Sequence, residues 1–549
     1  MLSGRSQSHR RLTPDQVAAR KLAPSIVAVA LFCVYVASLA PTVTYWDSGE
    51  FLSAIHSLGI PHPPGTPMFV LIANVWAKIL SPVLGFAYSV NLFSAVCTAA
   101  ACGIAAWLMQ RWTGDSVAAI AGGITAGLTS SVWLNATETE VYSPALLVSL
   151  ILLLVAERAR ETRDRRWLIL LAYVIGFGWS LQLSALVAAP AAVFLALWMP
   201  DRNANAGTST SNVERRSFLF TIVSMAAVGV LGASAVLFML VRARHDPAIN
   251  QGNPATWQAL SDVITRRQYM PVSMLPRQAP FYLQLGNMFE YADWQVAFGL
   301  APEPPPTIAR TTVTLIFAAL GVVGFMWHHR SHVASWEAMT LLFISATIGV
   351  VVYLNMKTSP SYGEGFLAAT AKHEARERDY FFALGFICWG LWAGAGSVAL
   401  FRRLNPRAAV AGVAFAALPM FLNWNAVDRR GSPKAFSARD SAQRILTRSP
   451  QNAVVFAVGD NDTYPVWFMQ EVDGLRRDVT TVTLPLLGAK WYRQELARRH
   501  ALVGQEFVDD WRGVGATYAN ICKRARELSR VLVTPDIDGA PPVPQTCKE

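Results

Sequence analysis

Residues 143–181 read SPALLVSLILLLVAERARETRDRRWLILLAYVIGFGWSL and contain two apolar runs, 143–157 and 167–181, on either side of an arginine-rich loop. Apolar runs of this kind are typical of helices that cross the roughly 30 Å hydrocarbon core of a bilayer. Arginines in short connecting loops mark the cytoplasmic side of a membrane protein. The stretch therefore predicts two membrane crossings joined by a cytoplasmic loop, which orients the rest of the chain.

The composition of the whole chain agrees with a membrane protein. Of its 549 residues, 53% are hydrophobic and 15% are charged, and the formal net charge is +11. A basic chain can bind nucleic acid, but here the positive charges cluster in short loops between apolar runs. The six cysteines form no CxxC pair, which argues against a zinc site or a disulfide framework, and only Cys522 and Cys547 are candidates for a bridge. We therefore expect membrane lipids, and no nucleic acid, around this protein.

Eleven apolar runs are long enough to cross the membrane, and they lie near 24–41, 88–110, 116–134, 143–157, 167–181, 183–200, 218–241, 310–327, 335–354, 380–402 and 407–424. A further run at 67–80 determines the side of every later loop. If 67–80 stays in the interface, all the arginine-rich loops become cytoplasmic, namely 111–115, 157–166, 201–217, 328–334 and 402–407. If 67–80 crosses, the loop 157–166 lies outside, which contradicts the rule that arginine-rich loops are cytoplasmic. We therefore predict an interfacial or re-entrant helix at 67–80. The region 167–200 fits either two short spans or one broken span.

This topology divides the chain into a basic cytoplasmic N-terminus (1–23), a transmembrane domain (24–425) and an extracytoplasmic domain (426–549). The loops that face outward are 42–66, 135–142, 242–309 and 355–379. In the C-terminal domain the pattern predicts strands at 453–458 and 479–484, a turn at 460–462, and helices from Tyr464 and from Trp491. The fold class is thus a mainly α membrane bundle with a small α/β domain.

The first outward loop contains two carboxylates, Asp47 and Glu50, which share one face if the segment is helical. An ordinary helix cap explains such a pair without any function. The same loop, however, continues through a His-Pro-Pro-Gly turn at His62 into the interfacial helix. A loop of this kind has the parts of a pocket for a lipid-linked substrate.

Two further polar clusters lie on the same predicted side: Glu138, Glu140 and Tyr142 in one loop, and Arg376, Arg378 and Asp379 in another. Carboxylates close to the hydrocarbon are costly unless they are paired or functional. Arginines that face outward oppose the positive-inside trend, and their guanidinium groups match phosphate oxygens. The two glutamates are therefore either exposed loop acids or part of a site. The two arginines either bind phosphate or neutralise neighbouring acids in a structural network.

In the C-terminal domain, Asp460, Asn461, Asp462 and Tyr464 join a strand to a helix. The helix N-terminus could accept an anion, and the two aspartates could ligate a cation. A turn with an N-cap explains the same residues without a ligand. We expect no required cofactor and no metal site, although a divalent cation is compatible with these acids.

Three strings carry a resemblance to a known family: WDSGE at 46–50, LGIPHPPGTP at 58–67 and GDNDTYP at 459–465, with Gln470-Glu471 and Asp478-Val479 beyond them. They resemble the membrane family catalogued as domain of unknown function 2723 (glycosyltransferase family 117), which includes the animal transmembrane protein 260-like protein O-mannosyltransferases. The resemblance spans residues 40–500 and implies the type-C glycosyltransferase fold. It departs from the family at 181–184, where a histidine pair would be expected.

The resemblance implies the transfer of mannose or another hexose from a polyprenyl-phosphate donor, with inversion at the anomeric carbon. The expected acceptor is a protein Ser/Thr hydroxyl or a lipid outside the cytoplasm. Asp47 is then the candidate base, with Glu50 as its substitute. The candidate substrate-binding residues are His62, Glu138, Glu140, Tyr142, Arg376, Arg378 and Asp379. Two rival functions remain: a transporter or lipid flippase, although the sequence has no internal repeat, and a non-catalytic envelope scaffold.

Overall fold

The computed structural model describes residues 14–198, 212–269, 273–363, 367, 371–431 and 434–534. Its first part contains α1 (Pro14–Ala37), α2 (Ser48–Ser57), α3 (Pro67–Leu84), α4 (Phe86–Thr113), α5 (Ser116–Gly127), α6 (Ser130–Ala136), α7 (Tyr142–Thr162), α8 (Arg165–Leu181) and α9 (Ala189–Leu197). The second part contains α10 (Asn212–Ala233), α11 (Leu237–Ala243), α12 (Trp257–Ile264), α13 (Phe281–Asp293), α14 (Ile308–Ser331), α15 (Val333–Ile344), α16 (Val350–Leu354), α17 (Ala383–Leu404), α18 (Ala409–Ala416) and α19 (Pro419–Val427). The mainly α fold class is confirmed.

Helices occupy all the predicted apolar runs. Among the described residues, eight helices are long and apolar enough to cross a membrane, and α3 is one of these eight by length and composition; α5 with α6, bent by 71°, would make a ninth span. The remaining predicted runs form the shorter helices α1, α8 and α9. α1 begins at Pro14, before the predicted start of the span at residue 24. A multi-pass membrane protein is therefore confirmed, whereas the number of eleven crossings stays a prediction.

The region 167–200 folds as two short helical segments. The α-helix α8 ends at Leu181, Gln182 is extended, and a 3-10 segment then leads into α9. The end of α9 lies beside the start of α8, because Arg163, just before α8, donates a hydrogen bond to the carbonyl of Trp198, just after α9 (3.2 Å). Of the two alternatives, the structure favours two short antiparallel segments.

The helix α3 begins and ends at the same end of the bundle. Asn91 near the start of α4 donates hydrogen bonds to the carbonyls of Ala40 and Thr42, just after α1, at 2.9 and 3.1 Å. The ring of Phe86, directly after α3, lies 5.1 Å from that of His56, before α3. The chain therefore has not changed ends between 42 and 86, and this geometry supports the interfacial interpretation of 67–80.

The arginine-rich loops meet at the opposite end. Arg111 pairs with Glu161 at 2.5 Å, and Arg402 forms an ion pair with Asp115. Three of the loops predicted to share one side, 111–115, 157–166 and 402–407, are therefore in direct contact. Part of a fourth, 201–217, lies outside the described residues.

One fully buried arginine orders the segment that precedes α14. The Arg310 side chain donates to Asp293 Oδ2 at 2.8 Å. Its two terminal nitrogens donate to four backbone carbonyls, those of Ala301, Glu303, Pro304 and Pro305. All its donors face oxygen atoms, which is the condition under which a charge can be buried.

The C-terminal domain contains α20 (Ser437–Arg448), β1 (Val454–Ala457), α21 (Asp460–Glu471), β2 (Thr480–Thr483), α22 (Lys490–His500), α23 (Gln505–Asp509), α24 (Val514–Glu527) and β3 (Leu532–Val533). The sheet is parallel with strand order β2-β1-β3, and Val454 pairs with Thr480. The predicted turn at 460–462 is wrong, because these residues form the first turn of α21. Cys547, the predicted partner of Cys522, lies outside the described residues.

Candidate active site

Asp47 and Arg376 form a buried ion pair at the end of the bundle where α2 and α3 lie. Arg376 Nη2 is 2.6 Å from Asp47 Oδ2, and the two side chains are only 13% and 10% exposed. The guanidinium lies 5.1 Å from the ring centroid of Trp46 and 5.0 Å from that of Tyr380. Cation–π contacts with both rings help to fix the orientation of the arginine. Two of the three predicted clusters therefore meet at this pair.

The pair keeps Asp47 in its charged form. Burial opposes ionisation of this carboxyl, but the Arg376 charge, with a smaller contribution from His62, outweighs it. The pKa of Asp47 consequently lies below its ordinary value. In this state Asp47 is a carboxylate that is already paired, and hence a weak base.

Glu50 is enclosed by the His-Pro-Pro turn. Its Oε1 accepts a hydrogen bond from the backbone N–H of His62 at 2.6 Å, and its Oε2 lies 2.5 Å from His62 Nδ1. The amide of Gln251, from the outward loop after α11, also donates to Oε1. Burial lowers the pKa of His62, but the Glu50 charge overcomes this and raises it to about 9. Glu50 thus joins three chain segments, and its carboxylate has no exposed surface.

The two glutamates of the second cluster have different surroundings. Glu138 accepts from Thr44 at 2.6 Å and pairs with Arg429 at 2.5 Å, which ties the loop before α7 to the end of α19. Glu140 is buried, and its Oε2 has no hydrogen-bond partner. Burial, and next the charge of Asp47, raise the pKa of Glu140 well above its ordinary value. Of this pair, Glu140 is the one whose electrostatic surroundings include the Asp47–Arg376 pair.

Tyr380 connects the second and third clusters. Its hydroxyl accepts hydrogen bonds from Arg376 Nε at 3.1 Å and from Arg378 Nη1 at 2.6 Å. The ring of Tyr142 packs 4.7 Å away. Asp379 instead accepts a 2.5 Å hydrogen bond from Ser131. The structure therefore brings Tyr142, Arg376 and Arg378 together around Tyr380, which ends the same polar cluster in the sequence but was not among the predicted site residues.

The C-terminal domain packs directly on the loop that carries Asp47. Trp46 has a left-handed backbone conformation (φ 60°), and its N–H donates to Asn461 Oδ1 at 2.7 Å. A Cβ at Gly49 would overlap the backbone carbonyl of Tyr464, so only glycine lets α2 approach α21 this closely. Asn461 thus positions the ring that holds Arg376.

The two aspartates of the C-terminal motif differ in their relation to the site. Burial and the charge of Asp47 raise the pKa of Asp460. For Asp462, in the same first turn of α21, burial alone raises the pKa. Within the described ranges, no group of three or more His, Cys, Asp or Glu side chains is placed to hold a metal ion.

These features define a class of protein, a multi-pass helical membrane protein with a buried carboxylate–arginine site under a soluble α/β domain. Two segments of the chain match family models: residues 47–205 match the Protein O-mannosyl-transferase TMEM260 N-terminal domain, and residues 438–502 match TMEM260-associated domain 2. The matches confirm the resemblance to this family that the sequence motifs indicate. They include every candidate site residue except those of the Arg376 loop.

Named relatives match over shorter stretches. The chain is 30% identical to Protein O-mannosyl-transferase TMEM260 of Mus musculus over 135 residues, which cover 24% of this chain and 19% of the relative. It is 23% identical to Protein O-mannosyl-transferase tmem260 of Dictyostelium discoideum over 121 residues, covering 22% and 15% respectively. The matched stretch is thus less than a fifth of the length of either relative.

Solved structures of ArnT from Cupriavidus metallidurans are similar over most of the chain. The apo form has a TM-score of 0.49 at 14% identity, covering 94% of this chain and 90% of that one. The form bound to undecaprenyl phosphate has a TM-score of 0.49 at 11% identity, covering 86% and 91%.

Proposed function

We propose that this protein is a glycosyltransferase that moves mannose from a polyprenyl-phosphate donor to a Ser/Thr hydroxyl of a polypeptide outside the cytoplasm. The observation that supports the proposal is the buried Asp47–Arg376 pair, in which the proposed carboxylate base lies beside the proposed phosphate-binding cation. The relatives' name, protein O-mannosyl-transferase, supports the same reaction. Both features lie at the membrane end opposite the arginine-rich loops, which supports an extracytoplasmic site.

In the proposed reaction the acceptor oxygen attacks the anomeric carbon and gives its proton to Asp47. The bond between that carbon and the phosphate oxygen breaks, and the lipid phosphate leaves with inversion at carbon. Asp47 suits the base role better than Glu50, because Glu50 is fully enclosed by His62 and Gln251. A positioned base contributes about 10²–10⁴-fold to a rate.

Donor binding would activate the base. While Arg376 pairs with Asp47, the carboxylate is stabilised and a poor proton acceptor. A donor phosphate that takes over the guanidinium would remove this stabilisation, and the pKa of the buried Asp47 would rise. The base would therefore become effective only when the donor is in place.

Arg376 and Arg378 are the proposed phosphate ligands. Both guanidinium groups donate to the Tyr380 hydroxyl, so their positions are linked. Guanidinium offers a planar fork of donors to phosphate oxygens and favours departure of the negatively charged lipid phosphate. We assign the unpaired Glu140 carboxyl to the donor sugar, where in its neutral form it donates a hydrogen bond to a hydroxyl.

The exposed face of α3 supplies a route for the prenyl chain. Leu71, Ile72, Val75, Trp76 and Ile79 line an apolar groove on this helix. Val75 and Ile79 are well exposed, as expected for side chains that contact hydrocarbon. α3 follows the His62 turn directly, so a chain bound here would lead to the Glu50–His62 end of the site.

The test uses the full-length protein in lipid nanodiscs with polyprenyl-phosphate [³H]mannose and a pool of Ser/Thr-containing peptides. The wild type should label the peptides, Arg376→Ala should not, and Glu161→Gln at the opposite end should behave as wild type. Equal labelling by the wild type and Arg376→Ala would overturn the proposed site. Transfer of intact donor between leaflets of vesicles, without cleavage, would favour the flippase alternative.

A further inference from the structure

A second cavity lies between the C-terminal domain and the outward loop that follows α11. It has a volume of about 250 Å³. One wall is the segment 248–251, and the other is formed by β2, α21 and α22. Neither Asp47 nor Arg376 lines this cavity. The chemistry proposed above does not require this cavity.

Polar atoms without partners surround the cavity. Asn250 Oδ1, Thr481 Oγ1 and Arg499 Nε are buried and have no hydrogen-bond partner among the residues that the structure describes, and all three residues line the cavity. The large majority of buried polar atoms in folded proteins are paired. Three unpaired atoms around one hollow indicate that a ligand or a rearrangement upon binding supplies their partners. Asn250 is itself only 4% exposed.

Each wall contains a stretch of extended backbone beside its other residues. β2 is an edge strand, since the sheet order is β2-β1-β3. On the other side, Ile249 accepts a hydrogen bond from the N–H of Ile60, and the N–H of Gln251 donates to the Ile60 carbonyl, as in a parallel bridge. The Tyr492 hydroxyl occupies part of the outer edge of β2, because it donates to the Thr481 carbonyl (3.4 Å) and accepts from the Thr483 N–H (2.8 Å). A polypeptide in extended conformation fits between the two segments with its alternate side chains in the pockets along them.

The side chains in the cleft complement those of a peptide. The rings of Trp467 and Trp491 line it together with the carboxyls of Glu471 and Glu495. Indole rings take up apolar and cationic side chains, and the carboxylates accept hydrogen bonds from peptide donors. Burial raises the pKa of Glu495 to about 7, so it can serve as donor or acceptor near neutral pH.

One residue connects the cleft to the catalytic loop. Gln251 lines the cavity and its side-chain amide also donates to Glu50. Glu50 lies in the first turn of α2, three residues after Asp47. A chain bound in the cleft is therefore held against the loop that carries the proposed base.

We propose that this cavity binds the polypeptide acceptor, and that it holds residues next to the Ser or Thr that receives the sugar. The inference rests on the proposed function for the role of the peptide, but the binding itself can be measured without any transfer. The cleft selects acceptors by sequence, while the Asp47–Arg376 pair acts on the donor.

The test measures binding of a fluorescein-labelled pool of Ser/Thr peptides to the full-length protein in nanodiscs by anisotropy. Thr481→Phe fills the cavity, and Glu471→Gln removes a carboxylate from its wall with little change in shape. Each variant should raise the Kd by about tenfold or more, while leaving donor hydrolysis in the absence of peptide unchanged. The matched control is Glu527→Gln on α24, which removes an exposed carboxylate of the same domain.

Wild-type affinity in both Thr481→Phe and Glu471→Gln, or no peptide binding to the wild type, would overturn the inference. So would displacement of the peptides by methyl α-mannoside, which would make the cleft a glycan site. The Asp47→Asn variant should bind peptides as the wild type does. If the peptides bind to the cleft but the wild type transfers no sugar, the acceptor cleft stands and the proposed reaction fails.

Discussion

Replacing Asp47 by asparagine separates the base from the arginine that it holds. Asparagine keeps the size of the side chain and an oxygen that accepts a hydrogen bond from Arg376, but it cannot take a proton. Arg376 retains its contacts with Trp46 and the Tyr380 hydroxyl. The variant should therefore fold, bind donor and fail in the transfer step.

The size of each effect follows from the contacts. Loss of a positioned base should lower the transfer rate by about 10²–10⁴-fold. Removing one partner of a buried pair costs about 3–5 kcal/mol, but the retained hydrogen bond and the partial exposure of Arg376 should reduce the loss of stability to about 1–3 kcal/mol. Donor affinity should stay equal or increase, since Arg376 no longer has to leave a carboxylate to meet the phosphate.

The assay compares single-turnover transfer with donor binding for the wild type, Asp47→Asn and Arg376→Ala. The matched control is Asp115→Asn, because Asp115 also pairs with an arginine of another segment but at the opposite end of the bundle. Arg376→Ala should weaken donor binding, whereas Asp47→Asn should not. Transfer by Asp47→Asn within tenfold of wild type, or a loss of donor affinity equal to that of Arg376→Ala, would refute this reasoning.

Three further outcomes are expected. Asn461→Ala removes the acceptor for the Trp46 N–H and should lower kcat by about tenfold with little change in melting temperature. Asn461→Asp keeps an acceptor oxygen at this position and should have the kcat of the wild type. His62 has a pKa of about 9 in the folded state, so its stabilising charge is complete below about pH 6.5 and lost as pH rises through 9; thermal scans should show this loss in the wild type but not in His62→Gln. Arg310→Met removes the hydrogen-bond donors of Asp293 and of four backbone carbonyls. It should lower the free energy of unfolding by about 3–5 kcal/mol, measured by thermal unfolding in detergent.

The grouping of the loops at two ends of the helical bundle could be predicted because charge and apolar length act locally. A loop of five arginines costs too much to place outside, and this preference can be read without knowing any tertiary contact. From it follows that Asp47, Glu140 and the Arg376 loop share one end of the bundle. Their placement in one cluster is the part of the site that sequence reasoning found.

The pairing within that cluster could not be predicted. Glu138 and Glu140 are two residues apart and look equivalent in the sequence. Glu138, however, pairs with Arg429 from the end of α19, whereas Oε2 of Glu140 has no hydrogen-bond partner in the described part of the chain. Which carboxylate is neutralised depends on helix ends that come together from distant parts of the chain. The same holds for Glu50, whose partner Gln251 lies 201 residues away.

The start of α21 shows a local error with a physical cause. Apolar periodicity begins at Tyr464, so the residues before it were predicted as a turn. Asp460 and Asp462 instead occupy the first helical turn, where negative charge is favoured by the helix dipole and backbone N–H groups are free. The helix therefore begins with polar residues that a periodicity argument does not count.

Two residues of the same helix, Asn461 and Tyr464, show why the C-terminal domain belongs to the site. If it were an independent module, its contacts with the membrane part would be peripheral, but Asn461 holds the backbone of Trp46 and the Tyr464 carbonyl fills the space that a side chain at Gly49 would need. Trp46 in turn covers Arg376, the partner of Asp47. A chain of direct contacts thus runs from α21 to the proposed base, so the orientation of Arg376 depends on the docking of this domain.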